Sequence, residues 1–199
     1  YLDPNKPYTY DEFLDVCKKL TIDKDGDGEI DQWGVANADA FGMTPYIYSN
    51  GGRFLNDDYT KVNITDNKAF KEAFQYYIDL TVKEKVTPSV DQDTALGGYQ
   101  RWLDGQVAFY ACGTWDVAAF MDDSTFPYKW NLCGWPVGPS GDGKSTTWLG
   151  TVGYAISAKT EFPELCAELI QKLSTDLDAQ RAVSGETTGT ALRSEEHNV

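Results

Sequence analysis

With 199 residues, 41% of them hydrophobic and 14% aromatic, the chain has enough apolar material for one or two folded domains with a real core. A formal net charge of −14 argues against nucleic acid and anionic membrane surfaces as partners, and no apolar run approaches the length of a transmembrane helix. The chain starts at Tyr1 rather than Met and carries nothing resembling a signal peptide, so the expectation is a piece of a longer or processed protein.

Thr9 and Glu12 form a capping box, and Phe13, Leu14, Cys17 and Leu20 follow as one helical stripe. An acidic loop runs from Asp23 to Asp31, and Trp33 to Asn37 reads as a short strand. Thr44-Pro45 reads as an N-cap and N1 pair opening an aromatic helix that Gly51 ends. Phe54 to Ile64 reads as a hairpin turned at Asn56-Asp57-Asp58. Asp66 caps a long helix with Phe70, Ala73, Phe74, Tyr77 and Ile78 inward. Thr94 to Leu103 is a helix stopped by Gly105, and Val107 to Cys112 is a buried strand between glycines. Asp116 to Met121 begins another helix. Strands are expected at Trp130 to Val137 and at Trp148 to Ile156, with a Gly/Ser-rich loop between them. Phe162 to Ser174 is an amphipathic helix with Pro163 at N1, and Asp176 opens a further short one. Strands alternating with helices indicate an α/β fold.

The acidic loop, Asp23-Lys24-Asp25-Gly26-Asp27-Gly28-Glu29-Ile30-Asp31, has the spacing of a calcium loop. Such loops present hard oxygens from positions one, three, five, seven and nine on a tightly turned backbone. Asp23, Asp25, Asp27, the Glu29 carbonyl and Asp31 fit those positions, with Gly28 at the turn and Ile30 as apolar anchor. Position twelve, where an EF-hand has its bidentate glutamate, is Gly34, and a strand follows where a second helix belongs. A solvated acidic turn is the alternative. Gly138 to Ser145 satisfies the phosphate-loop pattern G-x-x-x-x-G-K-S to the letter, but that motif needs a helix directly after it, and the strand-like Thr146 to Val152 follows. A flexible surface turn is therefore expected, with no nucleotide.

The single histidine, His197, lies in the tail, so no serine or cysteine triad is in prospect, although paired carboxylates of a glycosidase are not excluded by spacing. The four cysteines lack metal-ligand spacing and read as small buried hydrophobes; one disulfide between Cys112 and Cys133 is the alternative. Trp115 lies just past the strand ending at Cys112, where open α/β sheets bind ligands, and is either a stacking platform or a plug at a helix–sheet corner.

Trp102-Leu103, Gly105-Gln106-Val107-Ala108 and Gly113-Thr114-Trp115 together resemble a recurrent motif of the extracellular solute-binding proteins of ABC importers, in the sugar-binding group that includes maltose-binding protein. Thr9-Tyr10-Asp11-Glu12-Phe13, Asp31-Gln32-Trp33-Gly34-Val35, Asn50-Gly51-Gly52 and Gly150 to Ser157 resemble further motifs of that family in the same order. The resemblance implies a type II periplasmic-binding-protein-like α/β fold of two lobes, of which residues 1–133 are most of the second lobe and 134–199 a hinge crossing with part of the first. It implies carbohydrate held between lobes by stacking and hydrogen bonds, importer membrane subunits as partners, a monomer, no catalysis, and a periplasmic or membrane-tethered lipoprotein location. Trp115 matches the family's stacking aromatic. Asp39 and Phe41 match a carboxylate and an aromatic on a loop after a strand; Tyr46 is an alternative second wall, and Asp116 and Trp148 are further candidates. Some members carry acidic loops as structural calcium sites, with the last ligand next to position nine, where Gln32 stands. An enzyme acting on carbohydrate with paired carboxylates and a calcium-dependent interaction module are the alternative functions.

Overall fold

The computed structural model describes residues 6–36, 40–121, 124, 126–150 and 153–184, and the side chains of 40, 41, 118 and 181–184 are outside that description. Two compact units result: Tyr1–Cys112 with Tyr128–Trp148, and Gly113–Pro127 with Leu149–Val199. The boundary expected at 133/134 falls inside the first unit.

In the first unit, α1 (Tyr10–Leu20) starts at the expected capping box. The Thr9 hydroxyl accepts the Glu12 amide at 3.2 Å, and Glu12 accepts the Thr9 amide at 2.8 Å. Those bonds to the charged form hold the Glu12 carboxyl below its ordinary value. Tyr10, Phe13 and Cys17 face inward. β1 (Trp33–Ala36) is buried at every position, as a strand covered on both faces should be. α2 (Ala40–Ser49) opens upstream of Thr44-Pro45 and takes Pro45 into its interior. The expected cap is thereby corrected: Thr44 and Pro45 lie inside the helix rather than at its start. α3 (Lys68–Val82) is capped by Asn67, one residue beyond Asp66, through a 2.9 Å bond from the Phe70 amide to Oδ1. Phe70, Ala73 and Leu80 are buried on it, whereas Phe74, expected inward, is exposed and stacks on Phe70.

The single helix expected over Thr94 to Leu103 is two: α4 (Val90–Ala95), opened by a Ser89–Gln92 capping box, and α5 (Gly98–Leu103). Two adjacent glycines break the run, and Gly98 packs so close to Ala36 that a Cβ there would sit 3.1 Å from the alanine methyl. Gly105 at φ +68° ends α5 and turns the chain into β2 (Val107–Tyr110). β2 pairs parallel with β1, Trp33 opposite Val107 and Val35 opposite Phe109. The Arg101 guanidinium, 6% exposed, lies over the Trp33 ring at 4.7 Å and donates to the Gln92 carbonyl at 2.7 Å, tying α4, α5 and β1 together.

The expected hairpin is reduced to one antiparallel bridge, Leu55 with Val62, whose turn is held by Asn56 Oδ1 accepting the Thr60 and Lys61 amides. The strand expected at Trp130 to Val137 is irregular except for one parallel bridge between Val137 and Thr9. The main core gathers Tyr10, Phe13, Cys17, Val35, Tyr46, Ile47, Phe70 and Leu80, with Trp135 against it. Within the second unit, the 3-10 turn Thr114–Asp116 leads into α6 (Val117–Phe120). α7 (Pro163–Thr175) has Pro163 in its first turn as expected, and α8 (Leu177–Ser184) opens as Asp176 Oδ1 accepts the Ala179 amide at 2.8 Å. The strand expected over Trp148 to Ile156 forms no ladder among its described residues. Among the described residues no helix is long and apolar enough to cross a membrane.

Candidate functional site

Parallel pairing of β1 with β2 puts both carboxyl ends at one sheet edge, the edge from which α/β proteins present ligand-binding loops. Trp115 follows five residues after β2 ends and is 62% exposed. Its benzene ring, at Cε3, Cζ3 and Cη2, occupies the space where a side chain at position 113 would stand. Gly113 is thus required by close approach of the ring, and the Gly113 carbonyl accepts the Asp116 amide at 3.2 Å to close the turn. The indole is thus exposed over most of its surface, with its benzene edge against its own turn. Asp116 is half-buried in the same turn, and Trp148 in the first unit is 42% exposed.

Tyr46 does not form a wall. It is 1% exposed, with its ring between 5.5 and 6.4 Å from those of Tyr10, Phe13, Tyr76, Tyr77 and Trp135, and burial raises its hydroxyl pKa. Asp39 lies outside the described residues, and Phe41 lies in α2 rather than on a loop, its side chain likewise outside them.

In the acidic loop, oxygens of Asp23, Asp25 and Asp27 fall within 4.8 Å of one another. Asp23 accepts the Gly26 and Gly28 amides at 2.6 and 2.9 Å, and those bonds, Gly28 first, hold its carboxyl below the ordinary value. Asp25 accepts the Asp27 amide and Asp27 the Glu29 amide. Asp31 closes the loop base by accepting the Lys24 amide at 2.6 Å and lies outside the three-carboxylate group. The Gln32 amide nitrogen donates to the Leu20 carbonyl, and Ile22 bridges Gln32 across the loop neck. Three close carboxylates on a turned backbone are a hard-oxygen donor set that fits calcium.

The G-x-x-x-x-G-K-S stretch is a surface turn with no helix directly after it; Lys144 pairs with Asp142 at 3.4 Å, its side chain 80% exposed. Sequence reading missed what holds this turn's base. Asn50, fully buried, accepts the Ser140 amide at 2.9 Å, and Ser49 both donates to and accepts from the Thr146 backbone. Gly138 and Gly141 pass so close to Asn50 and Ser49 that neither has room for a side chain. Buried polar residues at a helix end before a glycine pair were the available signal. Beside this turn a cleft of about 870 Å³ opens among α1, α3 and residues 137–143, lined by Asp11, Glu72, Gln75, Tyr76 and Asp79 among others and by none of the residues expected to meet sugar. Cys17 is buried, its thiol pushed up to about 12 by burial, while Cys133 is exposed and so is not the small core residue expected.

The family described as bacterial extracellular solute-binding protein matches residues 1–192. The chain belongs to that family. Solved structures of the fold include the maltose/maltodextrin-binding domain of Bdellovibrio bacteriovorus bound to maltotriose, similar at 23% identity and TM-score 0.73 over 96% of this chain and 48% of that one. An ABC substrate-binding protein of Listeria monocytogenes in complex with cycloalternan is similar at 19% identity and TM-score 0.75, over 98% and 47%. A solute-binding protein of Thermotoga lettingae bound with alpha-D-tagatose gives 24% and 0.68, over 93% and 46%. No curated protein matches. The solute-binding chain therefore spans about half the length of its structural relatives, and the expected type II periplasmic-binding-protein-like fold is that of those relatives. The family and these relatives are binding proteins rather than enzymes.

Proposed function

We propose that this chain forms part of the ligand site of a sugar- or oligosaccharide-binding protein that delivers its ligand to the membrane subunits of an ABC importer. The observation that carries the reading is Trp115, a bare indole seated over Gly113 beyond the carboxyl end of β2. Sugar C–H faces are apolar and their hydroxyls ring the edge, so a flat aromatic takes the face while carboxylates accept the hydroxyls. Asp116, adjoining Trp115, is the nearest acceptor in sequence, and Asp39, Phe41 and Trp148 complete the proposed set. Maltotriose, cycloalternan and tagatose in the relatives support a carbohydrate as ligand. The protein acts as a monomer, in the periplasm or as a lipoprotein at the outer face of the membrane, and catalyses no turnover. Tryptophan fluorescence titrated with maltotriose and a panel of other oligosaccharides tests this in the full-length protein. Saturable quenching or a spectral shift is expected, with the oligosaccharide recovered intact. Absence of any response across the panel, or cleavage of the ligand, defeats the proposal and favours an enzyme with paired carboxylates.

Calcium is proposed as a structural ion held by Asp23, Asp25 and Asp27, with the Glu29 carbonyl, Asp31 and Gln32 as the remaining oxygen donors. When bound it would offset the mutual repulsion of the carboxylates and fix the loop between α1 and β1.

A further inference from the structure

Residues 144–150, which carry Trp148, belong to no helix or strand, so no ladder of their own fixes the indole. Their anchor comes from α2. Ser49, 1% exposed at the last position of that helix, donates its hydroxyl to the Thr146 carbonyl at 3.0 Å and accepts the Thr146 amide at 2.9 Å. One side chain thus satisfies both backbone groups of a residue 97 positions away, as a neighbouring strand would. Asn50, its fully buried neighbour, holds the start of the same stretch. Its Oδ1 accepts the Ser140 amide at 2.9 Å, and its Nδ2 donates to the Ala69 carbonyl at 2.7 Å and to Glu72 at 3.3 Å, which also accepts the Ser140 hydroxyl. Burying a serine and an asparagine costs free energy unless each is bonded, and a fully bonded buried pair fixes one arrangement where an apolar pair would let the segment slide. Between the two anchors the chain is loose: Asp142 and Lys144 are exposed and pair with each other. The hold resumes at Thr146, just before Trp148, which is 42% exposed.

We infer that Ser49 is a positioning residue for ligand recognition: its paired bonds to Thr146, with Asn50 behind them, set where the Trp148 indole meets the ligand. The helix that supplies Ser49 begins directly after Asp39, so Trp148 is anchored to the element that follows another candidate ligand residue. The inference rests on the sugar reading above for the nature of the ligand, and on the Ser49–Thr146 geometry alone for the placement of the ring.

Fluorine NMR of the full-length protein labelled with fluorotryptophan tests it, the Trp148 and Trp115 lines being assigned with Trp148→Phe and Trp115→Phe. In Ser49→Ala the Trp148 line is expected to shift or broaden before any sugar is added, with the Trp115 line unmoved. Maltotriose and the oligosaccharide panel, followed by calorimetry, are expected to bind Ser49→Ala at least about fivefold more weakly than the parent. That loss should shrink to within about twofold when Trp148 is already alanine, and persist in full when Trp115 is. Ser49→Cys, close in size but a weaker hydrogen-bonding group, should fall between parent and alanine in both readouts, and it replaces the alanine variant if that one does not fold. An unmoved Trp148 line overturns the inference. So does a lower melting temperature with affinity unchanged, or an affinity loss of equal size with and without Trp148, since either makes Ser49 a packing residue. A parent that binds no sugar of the panel overturns the sugar reading and this role with it, and that failure is told apart because the parent itself is silent.

Discussion

Removal of the Trp115 ring separates a ligand platform from a packing residue. In Trp115→Ala the folded protein loses little, because the ring is 62% exposed and its covered part rests on the Gly113 backbone. Covered area on the order of 100 Å², at ~25 cal/mol per Å², caps the stability loss at roughly 2.5 kcal/mol, and the extended-chain reference makes even that an upper figure. Sugar stacked on the open face loses an aromatic contact of at least ~1 kcal/mol, about fivefold in Kd. Trp115→Phe should recover part of that. Gly113→Ala probes the same ring without touching it: the new methyl cannot coexist with the ring as placed, so the indole must swing away, and affinity should fall although Trp115 is intact. Isothermal titration calorimetry with the oligosaccharide found by fluorescence, run beside thermal melts in the full-length protein, reads both quantities. A stability loss of about 3–5 kcal/mol with affinity unchanged in Trp115→Ala would refute the reasoning and make the ring a core residue.

Chelation is expected to lower the melting temperature and added calcium to restore it, and Asp25→Ala to abolish that response; calorimetry showing no calcium binding to the intact loop rejects the site. Lys144→Ala should leave stability and ligand affinity within about 0.5 kcal/mol, and millimolar ATP with magnesium should not shift the melt, whereas a clear magnesium-dependent shift restores the nucleotide reading. The Glu72 carboxyl is held below the ordinary 4.5, first by the Ser140 hydroxyl and also by Asn50 and Lys68. Because its folded pKa is depressed, its contribution to stability is present above 4.5 and is lost as the pH falls through the lower folded value. Ser140→Ala should move the folded value back up towards 4.5, so that the variant is less stable than the parent above that pH and loses less of its stability on acidification, and carboxyl NMR titration of Glu72 showing no change would reject the link.

What the sequence disclosed was mostly local chemistry. The Thr9–Glu12 box, Pro163 in the first turn of α7, Asp176 before α8 and Gly105 after α5 each act over a few residues, and each is found in place. The failures arise where tertiary context decides. The family resemblance offers Tyr46 as a wall; the aromatic rings of α1, α3 and Trp135 that enclose it come from distant parts of the chain. Val107 to Tyr110 forms its ladder because β1 is present to receive it, while Gly153 to Ser157, also expected as strand, has no ladder among the described residues. Gly113 was read as a strand breaker; that it also makes room for an indole two residues later is visible only in three dimensions. The family motifs carried further than periodicity did, since they bind fold to order along nearly the whole chain.

The pairings of the first unit are nested. Thr9 meets Val137 in one parallel bridge, and inside that loop Trp33 meets Val107 in another. A chain leaving a ribosome or a translocation channel in order can close neither until late: β1 waits for more than a third of the sequence before its neighbour emerges, and the entry to α1 waits longer still. Closing loops of that size costs entropy before any contact repays it. The core that α1 and β1 share is therefore assembled from both ends of the first unit, and it closes only when Val107 and Val137 are present.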